Sequence, residues 1–263
     1  MERLLEKYGK LSPLSEDEQA IFENLSAVRR EFPSGVRLVA SELDEPDQLF
    51  IVESGRLFAS IDLPGGGTAI TRLYFAGDIV GTANMPFERA TQSITVASDA
   101  VLHVFPRRNL AAAFAALPRI AAIFYTFAAL ENAILNDRLV SIGRTRGIQR
   151  LASLILEVAS RRNLAIENPQ YVFKLGLTQA QIGDAIGLTA IQVNRLFREL
   201  DGEGVIKREQ GYIEVVDLPR LAEMGNFRDR YEDLDLDWFT DLPPLVQSPA
   251  GQCRAERTQT ETI

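Results

Sequence analysis

The hydrophobic pattern changes period along this chain. From Val28 to Pro106 apolar residues gather in short β-branched or aromatic runs, at 36–38, 49–52, 57–61, 69–74, 93–96 and 101–105. Turn clusters separate these runs: Pro33-Ser34-Gly35, Glu53-Ser54-Gly55, Pro64 to Gly67, Ala76-Gly77-Asp78 and Ser98-Asp99. Many short strands at close spacing predict a β-sandwich or barrel. Ahead of them, Leu4, Leu5 and Tyr8 have helical spacing. Ser15-Glu16-Asp17-Glu18 is a capping box that opens a second helix carrying Ile21, Phe22 and Leu25.

Helical periods follow. Arg107 to Ala116 is an Ala-rich helix, and Pro118 stands in the first turn of the next, where proline is tolerated. There Ile120, Ile123, Phe127, Leu130 and Ile134 are spaced 3, 4, 3, 4. That is a heptad seam, which predicts pairing with a second copy. The same five would also serve a core helix packed on its own domain. Asn136-Asp137 interrupts the seam, and Gly143 is expected to end the helix. Thr145 to Arg161 reads as an amphipathic helix, and Tyr171 to Lys174 as a short strand.

From Thr178 to Arg198 two short helices are joined by a tight turn. Thr178 and Thr189 stand at their starts as N-caps, Gly187 ends the first, and Gly183 sits where the two must approach. Val205 to Arg208, a turn at Gln210-Gly211, and Tyr212 to Val216 read as a hairpin. Leu218 to Met224 is a closing helix, capped by Asp217. A helix-turn-helix followed by a hairpin is a winged helix.

The stretch LTQAQIGDAIGLTAIQVNRLFRELDGEGVIK resembles the DNA-binding domain of the CRP/FNR family of bacterial transcription regulators. Residues 49–57 and 75–81 are similar to that family's β-roll signatures, and the likeness spans roughly residues 10–225. It implies an α+β fold: a double-stranded β-helix (a cyclic-nucleotide-binding-like jelly roll), a long dimerisation helix, then a winged helix-turn-helix. The expected divisions are 1–116 for the sensor, 117–143 for the dimer helix, 144–225 for the DNA-binding domain and 226–263 for an acidic, flexible tail.

At 263 residues there is room for two domains and a tail. No apolar run approaches 18 residues, and the charged start MERLLEKYGK lacks a signal segment, so a cytoplasmic protein with no membrane partner is expected. Cys253 stands alone, which excludes an intrachain disulfide. It also excludes the cysteine cluster with which oxygen-sensing members of the family hold an iron–sulfur centre. The net charge of −8 is misplaced for a DNA-binding protein until it is divided. Residues 144–208 hold ten Lys/Arg against six Asp/Glu, a net +4, whereas 226–263 hold four Arg against eight Asp/Glu, a net −4. The tail's acid–aromatic run from Asp233 to Asp241 could mimic DNA and lie on the basic head, bind a partner such as RNA polymerase, or remain a solvated extension.

On the second helix of the motif Val193, Leu196 and Leu200 point inward, which leaves Ala190, Ile191, Gln192, Asn194, Arg195 and Arg198 to face a groove. Arg195 suits guanine O6 and N7, Gln192 suits adenine, and Asn194 suits either adenine or a phosphate. Thr178, Gln179 and Thr189 lie at helix starts whose amides can hold phosphates, and Arg198, Lys207 and Arg208 are backbone anchors. Relative to the family's cyclic-AMP receptors, Ala190 and Ile191 replace an Arg and a Glu that read bases, while the Arg matching Arg195 is kept. A different operator is therefore expected, with an apolar contact to a thymine methyl.

The resemblance also implies an effector pocket, where cyclic-nucleotide members use a Gly-Glu-Leu element and an Arg-Ser pair. Here these become Gly81-Thr82-Ala83 and Gln92-Ser93, and Arg89 is displaced by three residues. Both charged groups are gone, so tight binding of cyclic AMP or cyclic GMP is not expected. His103 is the single histidine, a strand residue too isolated for a cupin-type metal site, and no cofactor is expected.

The reading is a homodimeric regulator, not an enzyme, that binds double-stranded DNA at an inverted repeat and contacts RNA polymerase. Two rivals stand beside it. One is a constitutive DNA-binding protein whose β-roll is only a scaffold; the other is a cupin-type enzyme with an accessory DNA-binding domain.

Overall fold

The computed structural model describes residues 2–11, 13–25, 27–163, 172–232 and 234. Tyr171, Cys253 and all of the acid–aromatic run except Leu234 lie outside them. Two helices, α1 (Glu2–Leu11) and α2 (Glu16–Glu23), precede the β-roll, and both halves of the Ser15/Glu18 capping box are made.

The roll consists of β1 (Val28–Phe32), β2 (Arg37–Val39), β3 (Gln48–Asp62), β4 (Thr68–Tyr74), β5 (Ile79–Val80) and β6 (Ser93–Pro106). The order is β1-β6-β3-β4, with β2 also on β6 and β5 also on β3, and every pairing is antiparallel. Two expected turns are in fact strand. Glu53-Ser54-Gly55 and Ser98-Asp99 lie inside β3 and β6, which run on through them with register shifts. The reason is local. At Gly55, with φ +86°, a Cβ would lie 2.4 Å from the Asp99 carbonyl oxygen, so only glycine lets the two bulged strands cross that closely.

Next come α3 (Arg107–Ala116), α4 (Pro118–Arg144) and α5 (Gly147–Asn163). Helix α4 continues through Asn136-Asp137 and includes Gly143. The seam expected on it has another role. Ile120, Ile123, Phe127 and Leu130 are buried in this chain's own core beside Tyr8, Phe22 and Phe105, and Ile134 packs half-buried against them. Burial of α1 and α2 against this face consumes the 3, 4, 3, 4 stripe. Tyr8 lies 4.5 Å from Phe127, centroid to centroid. A second stripe, Tyr125, Ala128, Asn132, Leu135, Leu139 and Ile142, has the same heptad spacing and is exposed, Leu139 to 69%.

The C-terminal part comprises β7 (Val172–Phe173), α6 (Gln179–Ile186), α7 (Ala190–Gly202), β8 (Ile206–Glu209), β9 (Tyr212–Val215) and α8 (Leu218–Gly225), with sheet order β7-β9-β8. Its core is continuous with the roll's outer face. Phe58, Ile70, Leu73 and Phe75 join Leu151, Ile155, Ile182 and Leu196 in one cluster.

A buried ionic group sits at that junction. Arg161 of α5 donates to Asp78 Oδ1 at 2.6 Å, Lys7 of α1 pairs with the same carboxylate, and the Phe75 amide donates to Oδ2 at 2.8 Å. Burial pushes the Asp78 carboxyl up, but Arg161, Lys7 and Arg72 outweigh it and hold it well below the usual carboxylate range. After α8 the chain turns back across α4 as a strap. Arg230 makes two 2.7 Å bonds to Asp137, and the Tyr231 ring, buried in the same core as Tyr8 and Phe127, lies 4.4 Å from the Arg161 guanidinium.

Candidate nucleic-acid interface

The helix pair that could meet DNA is fixed by its own short-range chemistry. Thr178 and Thr189 each close a complete capping box. Gln181 Oε1 accepts from the Thr178 amide at 2.8 Å, and Gln192 Oε1 accepts from the Thr189 amide at 2.9 Å. Gly187 caps α6 in the left-handed region, with φ 69°. At Gly183 a Cβ would lie 2.2 Å from the Leu188 carbonyl oxygen, so the turn between α6 and α7 lies against bare backbone.

Helix α7 buries Val193, Leu196, Phe197 and Leu200. Its opposite face carries Ile191, 84% exposed, with Gln192, Arg195 and Arg198 also exposed and Ala190 and Asn194 half-buried. Among the described residues neither Arg195 nor Arg198 has a carboxylate partner. An exposed large aliphatic beside two unneutralised guanidinium groups, on a helix whose other face is core, is a surface built to be covered by something anionic and partly apolar. Gln179, half-buried, opens α6, and Thr178 precedes it on the surface.

The wing contributes less free charge than the sequence suggests. The Arg208 guanidinium lies over the buried Phe197 ring, 4.3 Å from its centroid, and Lys207 stands 3.9 Å from Glu209. Stacking ties the wing to α7 and holds the Arg208 side chain beside it. Gln192 is likewise engaged, because the oxygen that would accept from adenine N6 already accepts from Thr189. Three features escaped the sequence reading: the glutamines of the two capping boxes, the burial of Phe197 and the Arg208 stack. The first was legible as the Thr-x-x-Gln spacing at 178/181 and 189/192.

The residues of the expected effector pocket are not gathered into one polar site. Gly81 is buried against Leu49, and Ser93 is buried with its hydroxyl accepting from the Ser41 amide at 3.0 Å. Thr82 is half-buried. Only Ala83 and Gln92 reach a cavity of about 210 Å3 between β4 and α4. That cavity holds an ion pair of its own, Arg72 of β4 with Glu131 of α4, and Arg72 also covers the Tyr74 ring at 4.5 Å. His103 bonds Glu53 at 2.8 Å, a partnered strand histidine. The start of the tail lies at the α4–α5 joint, away from the face of α7.

Residues 149–224 match the family described as Crp-like helix-turn-helix domain, and residues 29–116 match the cyclic nucleotide-binding domain. The chain is 29% identical over 184 residues to the transcriptional regulatory protein btr of Bordetella pertussis, spanning 70% of this chain and 76% of that one. Its fold is similar to that of FixK2 from Bradyrhizobium japonicum, with TM-score 0.68 at 20% identity over 75% of this chain and 96% of that one. It is also similar to a CooA mutant from Carboxydothermus hydrogenoformans, with TM-score 0.63 at 19% identity over 86% and 97%. Among the described residues no helix is long and apolar enough to cross a membrane.

Proposed function

This chain belongs to the CRP/FNR family of transcription regulators, with a DNA-binding helix-turn-helix, and from that premise we propose that it works in the cytoplasm as a homodimer reading an inverted-repeat operator. The observation that carries the reading is the outward face of α7, where Ile191, Arg195 and Arg198 stand exposed above a fully buried inner face. Arg195 reads guanine, Ile191 and Ala190 meet a thymine methyl, and Asn194 reads adenine or holds a phosphate. Gln192 reads adenine only by giving up its cap. Thr178, Gln179, Thr189, Arg198 and Lys207 hold the phosphate backbone, with Arg208 as a stacked support for the wing.

Pairing uses the exposed α4 stripe through Leu135, Leu139 and Ile142, which sets the two heads about one helical turn of DNA apart. RNA polymerase is the further partner. Signals act by shifting one head relative to the other.

The test is operator selection with purified protein, followed by two variants. Arg195→Ala lowers affinity for the selected repeat by about tenfold to a hundredfold and relaxes selectivity at one base pair. Arg198→Ala weakens all sequences alike and flattens the salt dependence. Unchanged selectivity in Arg195→Ala would falsify the assignment.

One observation favours ligand-independent action. The Arg72–Glu131 pair already bridges β4 to α4 inside the cavity of the roll, where a bound nucleotide would have to make that link. Tight operator binding by purified, ligand-free protein supports this second reading.

A further inference from the structure

Only Thr145 and Arg146 join α4 to α5. Thr145 is extended, with φ −115° and ψ 161°, so the reading head hangs from α4 by a break in the helix. A joint this short is where one rigid body pivots on another. On the side facing β4 the bidentate Arg138–Glu157 pair ties it, with Arg138 also donating to the Thr71 carbonyl oxygen. On another side the strap leads the chain back from the head to α4.

Both ends of the strap are anchored. At the head, Gly225 closes α8 against α5, where a Cβ would lie 2.9 Å from the Ser153 amide nitrogen. Asn226, with φ 45°, then turns the chain, and the Phe227 amide donates to the Ala222 carbonyl oxygen at 3.1 Å. Asp229 Oδ1 accepts from the Tyr231 amide at 3.0 Å, which fixes the bend. At the far end Arg230 is bidentate with Asp137 of α4, and the Tyr231 ring is buried in the core that α1 and α4 share. A forked ion pair and a buried ring leave the strap little slack. It also stays clear of the exposed stripe. Asp137 precedes Leu139 by two residues, about 200° of helical turn, so the strap and the stripe lie on opposite sides of α4. A second copy can cover the stripe while the strap stays closed.

We propose that Arg230 and Tyr231 are positioning residues for operator recognition, and that by holding each head at one angle to α4 they set the half-site spacing a dimer accepts. They touch no base or phosphate themselves. The proposal rests on the operator reading. One base pair added or removed between half-sites turns one against the other by about 35°. A clasped head does not follow that rotation; a released head does, and it gives up the advantage of being pre-aimed.

The experiment compares the full-length parent, Tyr231→Ala, and a chain with Gly-Ser-Gly-Ser inserted after Arg228. Each is titrated with the selected repeat and with the same repeat lengthened or shortened by one base pair at its centre. The insertion keeps Arg230, Tyr231 and their partners and only lengthens the strap, so a ring that merely fills the core predicts no change. The parent should lose about tenfold or more at the altered spacings, and both variants no more than about threefold, with base preference inside each half-site unchanged. Should Tyr231→Ala fail to fold, the inserted chain decides. Without DNA, nitroxides at the exposed Asn136 and Glu199 report the angle of the head, in Cys253→Ser chains diluted with unlabelled protein. The parent should give a narrow distance distribution and the inserted chain a broad one. An equal spacing penalty in the parent and the inserted chain, or equal widths without DNA, overturns the proposal. A parent that selects no repeat refutes the operator reading instead, and the widths alone then judge the clasp.

Discussion

Arg161 and Asp78, 83 residues apart, meet at 2.6 Å in the interior and join the floor of the reading head to the turn before β5. The pair is not isolated. Lys7 adds a second cation and the Tyr231 ring lies under the first, so α1, the roll, α5 and the strap share one buried carboxylate. Asp78→Asn leaves Arg161 and Lys7 facing each other without a counter-charge. Urea unfolding should show a loss of about 3–5 kcal/mol. A change within about 0.5 kcal/mol, the range of ordinary surface substitutions, would mean that water reaches the cluster.

Lys7 gives the same cluster a pH signature. Burial, with Arg161 beside it, lowers the ammonium to about 8. An unfolded lysine titrates near 10.4. Between those values the unfolded chain holds a proton that the folded chain has released, so stability rises with pH across the window. Below about pH 8 both states hold the proton and the slope vanishes. Melting of the parent relative to Lys7→Met, from pH 7 to 10.5, reads the difference, and a falling difference contradicts the assignment.

Gly183→Ala should separate the two helices of the motif. The added methyl meets backbone at 2.2 Å, which cannot swing aside as a side chain would. Overpacking of this kind costs about 1–3 kcal/mol. Thermal melts should show that loss, and operator affinity should fall with it; a melt unchanged from the parent refutes the close approach.

Leu139→Glu and Ile123→Glu distinguish the two stripes of α4. Leu139 is exposed and Ile123 is 4% exposed in the chain's own core. Sedimentation should find Leu139→Glu folded but monomeric, while Ile123→Glu loses the fold itself. A Leu139→Glu protein that still sediments as a dimer would remove the proposed interface.

The short-range grammar of this chain was readable in advance. Thr178, Thr189, Gly187 and Gly211 each lie where the residue type suits, because caps and turns are decided within a few residues. Longer-range relationships were not. The heptad of Ile120 to Leu130 is as regular as a dimer seam, and period alone does not say whether a neighbouring helix or a second chain covers it; α1 and α2 do. Asp78 reads as an ordinary turn acid, and nothing near it names Arg161. Ser98-Asp99 reads as a break because the bulge that carries β6 through it depends on Gly55, 44 positions earlier.

The capped start of α7 has an energetic consequence. Gln192 holds its own helix closed with the oxygen that an adenine would recruit. In the proposed complex an adenine must compete with a backbone amide for that oxygen, and a helix cap is worth about 0.5–2 kcal/mol. An exposed side chain turns over within nanoseconds, so the competition weakens discrimination at that base pair without delaying the encounter.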